Sequence, residues 1–224
     1  MSELAHELAH ELASWQPILI RLAGAGDGAD GAHDIDHLHR VWANARALMS
    51  AEPSAADPLS VMAACYLHDL VNVPKNDPRR AEASRLSARQ AVEVLSAAGF
   101  PPALLDGVAH AIEAHSFSAA LPARTAAARI VQDADRLDAL GAVGLARLFY
   151  TAGRMGSSLA HGGDPLGRAR ALDDRRYALD HIVVKLATLP ALMQTQAGRV
   201  MGQQRLQRLL EFREAFAAEW GAPD

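Results

Sequence analysis

Residues 57–70 read Asp57-Pro58-Leu59-Ser60-Val61-Met62-Ala63-Ala64-Cys65-Tyr66-Leu67-His68-Asp69-Leu70. Aspartate followed by proline is an N-cap and first-turn pair: the carboxylate accepts an orphan amide, and proline has no amide to lose. The stretch therefore predicts a helix ending near Leu70, with the apolar run Val61 to Leu67 inside it. It closes on an adjacent histidine and aspartate. Burying such a pair at the end of an apolar segment is costly unless the charge is matched or bound to a metal.

The same punctuation recurs on both sides. Asp34 or Asp36 caps a helix through about Met49, and Asp77-Pro78 starts another that Gly99 and Pro101 stop. Further helical segments are predicted at Pro102 to His115, Thr125 to about Leu137, Gly141 to Arg154, Asp174 to Leu189 and Val200 to Trp220. Ahead of them, Leu4, Leu8 and Leu12 recur every fourth residue in a helix that Ser2 can cap, which Pro17 either kinks or follows after a new cap at Ser14. His6 and His10 in that repeat read as a solvated face. Alternating β-branched stretches are lacking, so the fold class is all-α, a single helical domain over residues 1–224 with no internal boundary. Met155 to Arg170 is the longest break in the pattern, a surface loop that serves either as a lid or as a plain connection.

Composition removes several function classes. Of 224 residues, 50% are hydrophobic and 21% charged, enough for a core. Lysine plus arginine is 22 against 26 for aspartate plus glutamate, a net charge of −4, so a nucleic-acid polymer is not an expected partner. No run approaches the roughly 18–20 apolar residues of a membrane span, and Met1-Ser2-Glu3-Leu4 lacks the layout of a signal peptide, so a cytoplasmic location is expected. The single cysteine, Cys65, reads as a small buried hydrophobe. Gly24, Gly26, Gly28 and Gly31 form a loop without the Gly-Lys-Ser/Thr ending of a phosphate-binding loop.

Metal-ligand residue types gather in four segments: His33-Asp34-Ile35-Asp36-His37-Leu38-His39, then His68-Asp69, then Glu113-Ala114-His115, then Gln132-Asp133-Ala134-Asp135-Arg136-Leu137-Asp138. Imidazole nitrogens with carboxylate oxygens suit Mn²⁺, Fe²⁺, Co²⁺, Ni²⁺ or Zn²⁺. On a helix His37 and His39 face different directions and cannot both reach one ion, and His110 and His115 are likewise turned apart. One metal is preferred to two.

His37 with Arg40-Val41, followed by His68-Asp69 and by Asp133, resembles the H...HD...D signature of the HD-domain phosphohydrolases. The match extends to Pro74-Lys75-Asn76, His115-Ser116-Phe117-Ser118, the run from Gln132 to Ala142, and Asp180-His181 with Lys185-Leu186, which resemble the YedJ/YpgQ-like branch of that superfamily. The resemblance covers roughly residues 30 to 215. It implies an all-α HD-domain bundle, motif-bearing over about 30–140, with the helices of about 141–220 packed on it. It also implies that His37, His68, Asp69 and Asp133 converge on one divalent metal, Mn favoured among Mn, Fe, Co, Ni, Zn and Mg. The activity it implies is hydrolysis of nucleotides through a metal-activated water, with nucleoside triphosphate pyrophosphohydrolysis leading.

Other residues then take candidate roles. Lys75, one of two lysines, and Arg79 or Arg80 offer cations to substrate phosphates, with a solvated helix start as the plainer reading of the arginines. Lys185 joins the substrate-binding set through its place in the resemblance. Arg136 either binds phosphate or neutralises Asp135 and Asp138, and His33 becomes a substrate or proton-transfer candidate. His115 is a proton donor or a group behind the ligands, with a capping histidine at a helix C-terminus as the alternative. Some family members place a glutamate three residues after the aspartate of the pair. Here that position is Asn72, which cannot take a proton, so the general base is sought among Asp77, Asp135 and metal-bound hydroxide.

Three rivals remain: a phosphomonoesterase of the 5′-nucleotidase kind, a non-catalytic metal- or nucleotide-binding module, and a structural protein with satisfied core histidines. The final helix, with Leu206, Leu209, Leu210 and Phe212, is expected to pack on the protein's own core, with homodimerisation as the alternative.

Overall fold

The computed structural model describes residues 3–24, 34–71, 73, 82–116 and 119–221. Its helices are α1 (Glu3–Gly24), α2 (Ile35–Ala51), α3 (Pro58–Leu67), α4 (Ala83–Ala97), α5 (Pro102–His115), α6 (Ala126–Asp138), α7 (Gly141–Arg154), α8 (Ala178–Val184) and α9 (Gln196–Trp220). Among the described residues there is no strand, and Ser158 and Tyr177 form an isolated parallel bridge. Among the described residues no helix is long and apolar enough to cross a membrane. The fold is all-α.

Helix starts follow the caps. Asp57 accepts the Ser60 amide at 2.7 Å, Asp34 accepts that of His37 at 3.0 Å, and Thr195 accepts that of Gly198 at 2.9 Å. The last bond starts α9 well before the expected Val200. Helix α3 stops at Leu67 rather than near Leu70, with His68 as its C-cap. Helix α8 is a short core of the expected Asp174–Leu189 segment, because 3-10 turns at Leu186–Thr188 and Pro190–Leu192 take over after it. Helix α1 runs unbroken through Pro17, and the Ser14 hydroxyl donates back to the Glu11 carbonyl at 2.7 Å instead of capping a new helix. The Asp77-Pro78 start lies outside the described residues.

The chain forms two compact units, 1–135 and 136–224. In the first, α3 is buried along Leu59–Leu67 and touches α1, α2, α4 and α5. A helix buried on every face needs no amphipathic stripe, which is why its apolar run is continuous. Each fully buried Leu, Val or Met there contributes about 1.5–3 kcal/mol. Two amide side chains tie α6 to its neighbours in this unit: Asn44 Nδ2 donates to the Ala134 carbonyl at 3.0 Å, and Gln132 Nε2 to the Ala114 carbonyl at 2.6 Å.

In the second unit α7 packs on α8 and α9. Phe149, Phe212, Phe216 and Trp220 form a chain of rings with neighbouring centroids 5.1–5.8 Å apart. Gly144 is required where it stands, because a Cβ there would lie 2.2 Å from the Ala139 carbonyl oxygen. The segment after α7 is bonded down. Arg170 forks onto buried Asp180 at 2.6 and 2.7 Å, and Asp180 also accepts the Asp173 amide at 2.8 Å.

Candidate metal centre

Helix ends build the centre. His37 sits in the first turn of α2, its amide fixed by Asp34 and its ring fully buried. His68 caps α3 and Asp69 follows it; His115 is the last residue of α5. Asp135 lies on α6, which the Asn44 and Gln132 bonds hold in place.

Their donor atoms converge. His37 Nε2 and His68 Nε2 are 3.3 Å apart. Asp135 Oδ1 lies 3.5 Å from His37 Nε2 and 3.9 Å from His68 Nε2, and Asp69 Oδ2 lies 3.9 and 3.5 Å from the same two atoms. His115 Nε2 is 3.8 Å from Asp69 Oδ1. Ligand atoms about 2.1 Å from a shared ion lie roughly 3.0–3.4 Å from one another in tetrahedral or octahedral arrangements. The observed spacings are close to that, and too long for good direct hydrogen bonds between imidazole and carboxylate.

Protonation follows from the backbone. His68 Nδ1 lies 2.9 Å from the Cys65 carbonyl and His115 Nδ1 lies 2.6 Å from that of Ile112. A carbonyl only accepts, so each Nδ1 carries a proton and Nε2 is the nitrogen turned inward, the orientation a metal-binding imidazole needs. Burial, reinforced by His68, pushes His115 below the ordinary histidine value. Burial alone would raise Asp135, but His68, His37 and His115 together hold it below the usual carboxylate range. An ionised aspartate beside an imidazole nitrogen that faces the same space is a combination that metal binding uses. The donor set therefore fits a divalent cation.

Asp133, expected to be the fourth ligand, belongs to neither cluster of potential ligands among the described residues, whereas Asp135 joins His37 and His68. Positions i and i+2 on a helix lie about 200° apart around its axis, so Asp133 and Asp135 leave α6 on different sides. Asp133 is fully buried. His115, expected as a proton donor or a group behind the ligands, stands with His68 and Asp69 in the second cluster. His39, the competitor of His37, bonds Tyr66 Oη through Nδ1 at 2.9 Å, and His110 accepts the Arg124 amide at 3.1 Å.

His33, Asn72, Lys75, Asp77, Arg79 and Arg80 lie outside the described residues. Arg136 and Lys185 belong to the second unit. Arg136 donates to the Leu192 carbonyl, and Lys185 is the exposed C-cap of α8. Asn44 and Gln132 were missed by sequence reasoning. The available signal was a polar side chain on an apolar helix face, as with Asn44 among Val41, Ala45 and Leu48.

Comparison with known proteins places these residues in a family. The HD domain model matches residues 34–140. The uncharacterized protein YpgQ of Bacillus subtilis (strain 168) is 31% identical over 208 residues, 91% of this chain and 89% of that protein. The crystal structure of YpgQ in complex with ADP superposes with a TM-score of 0.70 at 29% identity, covering 91% of this chain and 97% of that one. An HD-superfamily hydrolase from Bacillus thuringiensis gives a TM-score of 0.70 at 25% identity, covering 96% and 100%.

Proposed function

The chain belongs to the HD-domain superfamily of metal-dependent phosphohydrolases, and from that premise we propose that it cleaves nucleoside triphosphates to a nucleoside monophosphate and pyrophosphate. The observation that carries this reading is the convergence of His37, His68, Asp69 and Asp135, with His115 alongside. These four residues would hold one divalent ion, Mn²⁺ in the leading case. Such an ion supplies a Lewis acid for a phosphoryl oxygen and a water of lowered pKa.

The residues themselves supply orientation and a proton acceptor. The Cys65 carbonyl locks the His68 ring, and Asp34 fixes the turn that carries His37. His115 keeps its proton on Nδ1, so Nε2 is equipped to receive one from the attacking water. Water oxygen bonds to phosphorus, the α–β anhydride bond breaks, and the proton passes through His115 to the departing pyrophosphate. A base at His115 makes the absence of a glutamate at Asn72 tolerable. The ADP held by YpgQ supports a nucleotide with a phosphoanhydride as the ligand class.

The test is an assay on metal-stripped protein, restored in parallel with Mn²⁺, Co²⁺, Ni²⁺, Mg²⁺ or Zn²⁺, scoring pyrophosphate and orthophosphate from nucleoside mono- and triphosphates. Pyrophosphate from triphosphates, lost in Asp135→Ala, is expected. Orthophosphate from monophosphates alone replaces the reading with a phosphomonoesterase. Ion binding without turnover replaces it with a binding module.

A further inference from the structure

The α2–α3 pair is joined twice. On one flank stand His37 and His68; on the other, His39 Nδ1 meets Tyr66 Oη at 2.9 Å, and Gln16 Nε2 of α1 donates to the same oxygen at 2.8 Å. The second contact uses the residue two places after His37 on α2 and the residue two places before His68 on α3. Two places along a helix is about 200° of rotation, so the contacts grip the crossing from opposite sides. Rolling α2 to carry His37 away from His68 would pull His39 from Tyr66.

Such a second grip is needed because both histidines stand at helix ends, one in a first turn and one at a C-cap, where helices fray. Tyr66 is 1% exposed, so its hydroxyl has little water to fall back on. The His39 and Tyr66 rings meet edge to face with centroids 5.5 Å apart, which adds packing to the hydrogen bond.

Resting on the metal-centre reading above, we propose that Gln16, Tyr66 and His39 form the positioning chain of that centre. It sets the spacing at which His37 and His68 share one ion, and it ties α1 to the site. None of the three touches the ion or the substrate.

The experiment compares full-length parent, Tyr66→Phe, His39→Leu and the double variant after metal stripping. Mn²⁺ affinity is measured by calorimetry, the Co²⁺ form by its visible spectrum, and the metal-free form by thermal melting. Positioning predicts a roughly 10- to 100-fold loss of affinity in each single variant. It also predicts a shifted Co²⁺ band and a double variant no weaker than the worse single one, since both break one chain. Affinity within twofold of parent and an unchanged band, whatever the melting temperature, overturn the proposal and leave a fold brace. If Tyr66→Phe does not fold, the half-buried His39→Leu is read by the same criteria. A parent that binds no ion overturns the metal-centre reading itself, and this inference with it.

Discussion

Asp135 and Asp180 are both aspartates set among basic side chains, and their surroundings differ in one measurable respect. Asp180 has no exposed surface and is met at bonding distance: Arg170 at 2.6 and 2.7 Å, the Asp173 amide at 2.8 Å. The guanidinium that grips it also lies over the Tyr177 ring, 4.8 Å from its centroid. Asp135 faces imidazole nitrogens at 3.5 and 3.9 Å, which face one another at 3.3 Å. Direct bonds close a cluster, whereas donors held slightly too far apart with lone pairs turned inward leave room for an ion. Spacing, more than residue type, separates a clamp from a binding centre.

Substitutions should exchange these behaviours cleanly. Asp135→Ala is expected to abolish ion binding and lower turnover about 10³-fold, the equivalent of the several kcal/mol a metal contributes, while the metal-free protein melts near the parent temperature. Calorimetry with Mn²⁺ and initial rates check it. Arg170→Ala should do the reverse: it leaves Asp180 buried and unmatched at a cost of about 3 kcal/mol, seen in urea unfolding, with Mn²⁺ affinity unchanged. Loss of ion binding in Arg170→Ala would erase the distinction drawn between the two aspartates.

Ligand linkage gives a smaller effect. Mn²⁺ at about 100 times its dissociation constant should stabilise the parent by about 2.7 kcal/mol. Chelation should remove that increment, and Asp135→Ala should never show it.

The smallest effect concerns pH. Amides of Ala169 and Arg168 hold Asp164 below the ordinary carboxylate value. Because folding lowers this pKa, the contribution is complete above the ordinary carboxylate range and is lost as pH falls through the lowered value. Acid should loosen the 164–169 turn, measurable as amide exchange at Arg168 and Ala169. Asp164→Asn should flatten that pH dependence.

Much of this was legible in the chain. Local signals, such as Asp57-Pro58 or the His68-Asp69 pair, act over a few residues and survive folding unchanged. Which aspartate of α6 gathers with His37 and His68 was not legible, because it depends on the phase of that helix. Bonds from Asn44 and Gln132, on parts of the chain distant in sequence, help hold that helix in place. The start of α8 was missed for a similar reason: Ala178 and Leu179 donate their amides to Ser158 and Leu159, a pairing no helical periodicity announces. Pro17 misled in the opposite direction, since packing of α1 against α3 outweighs the single hydrogen bond that proline removes.

The carbonyls of Cys65 and Ile112 have an evolutionary corollary. They belong to the last turns of α3 and α5, where carbonyls ordinarily lack helical partners, and there they fix the tautomers of His68 and His115. A main-chain oxygen is carried by every amino acid, so point mutation at these positions leaves the acceptor in place as long as the helix persists. Side chains there can drift under selection for packing alone while the ring orientation is inherited intact. In a survey of divergent descendants, this part of the centre would show as two variable positions.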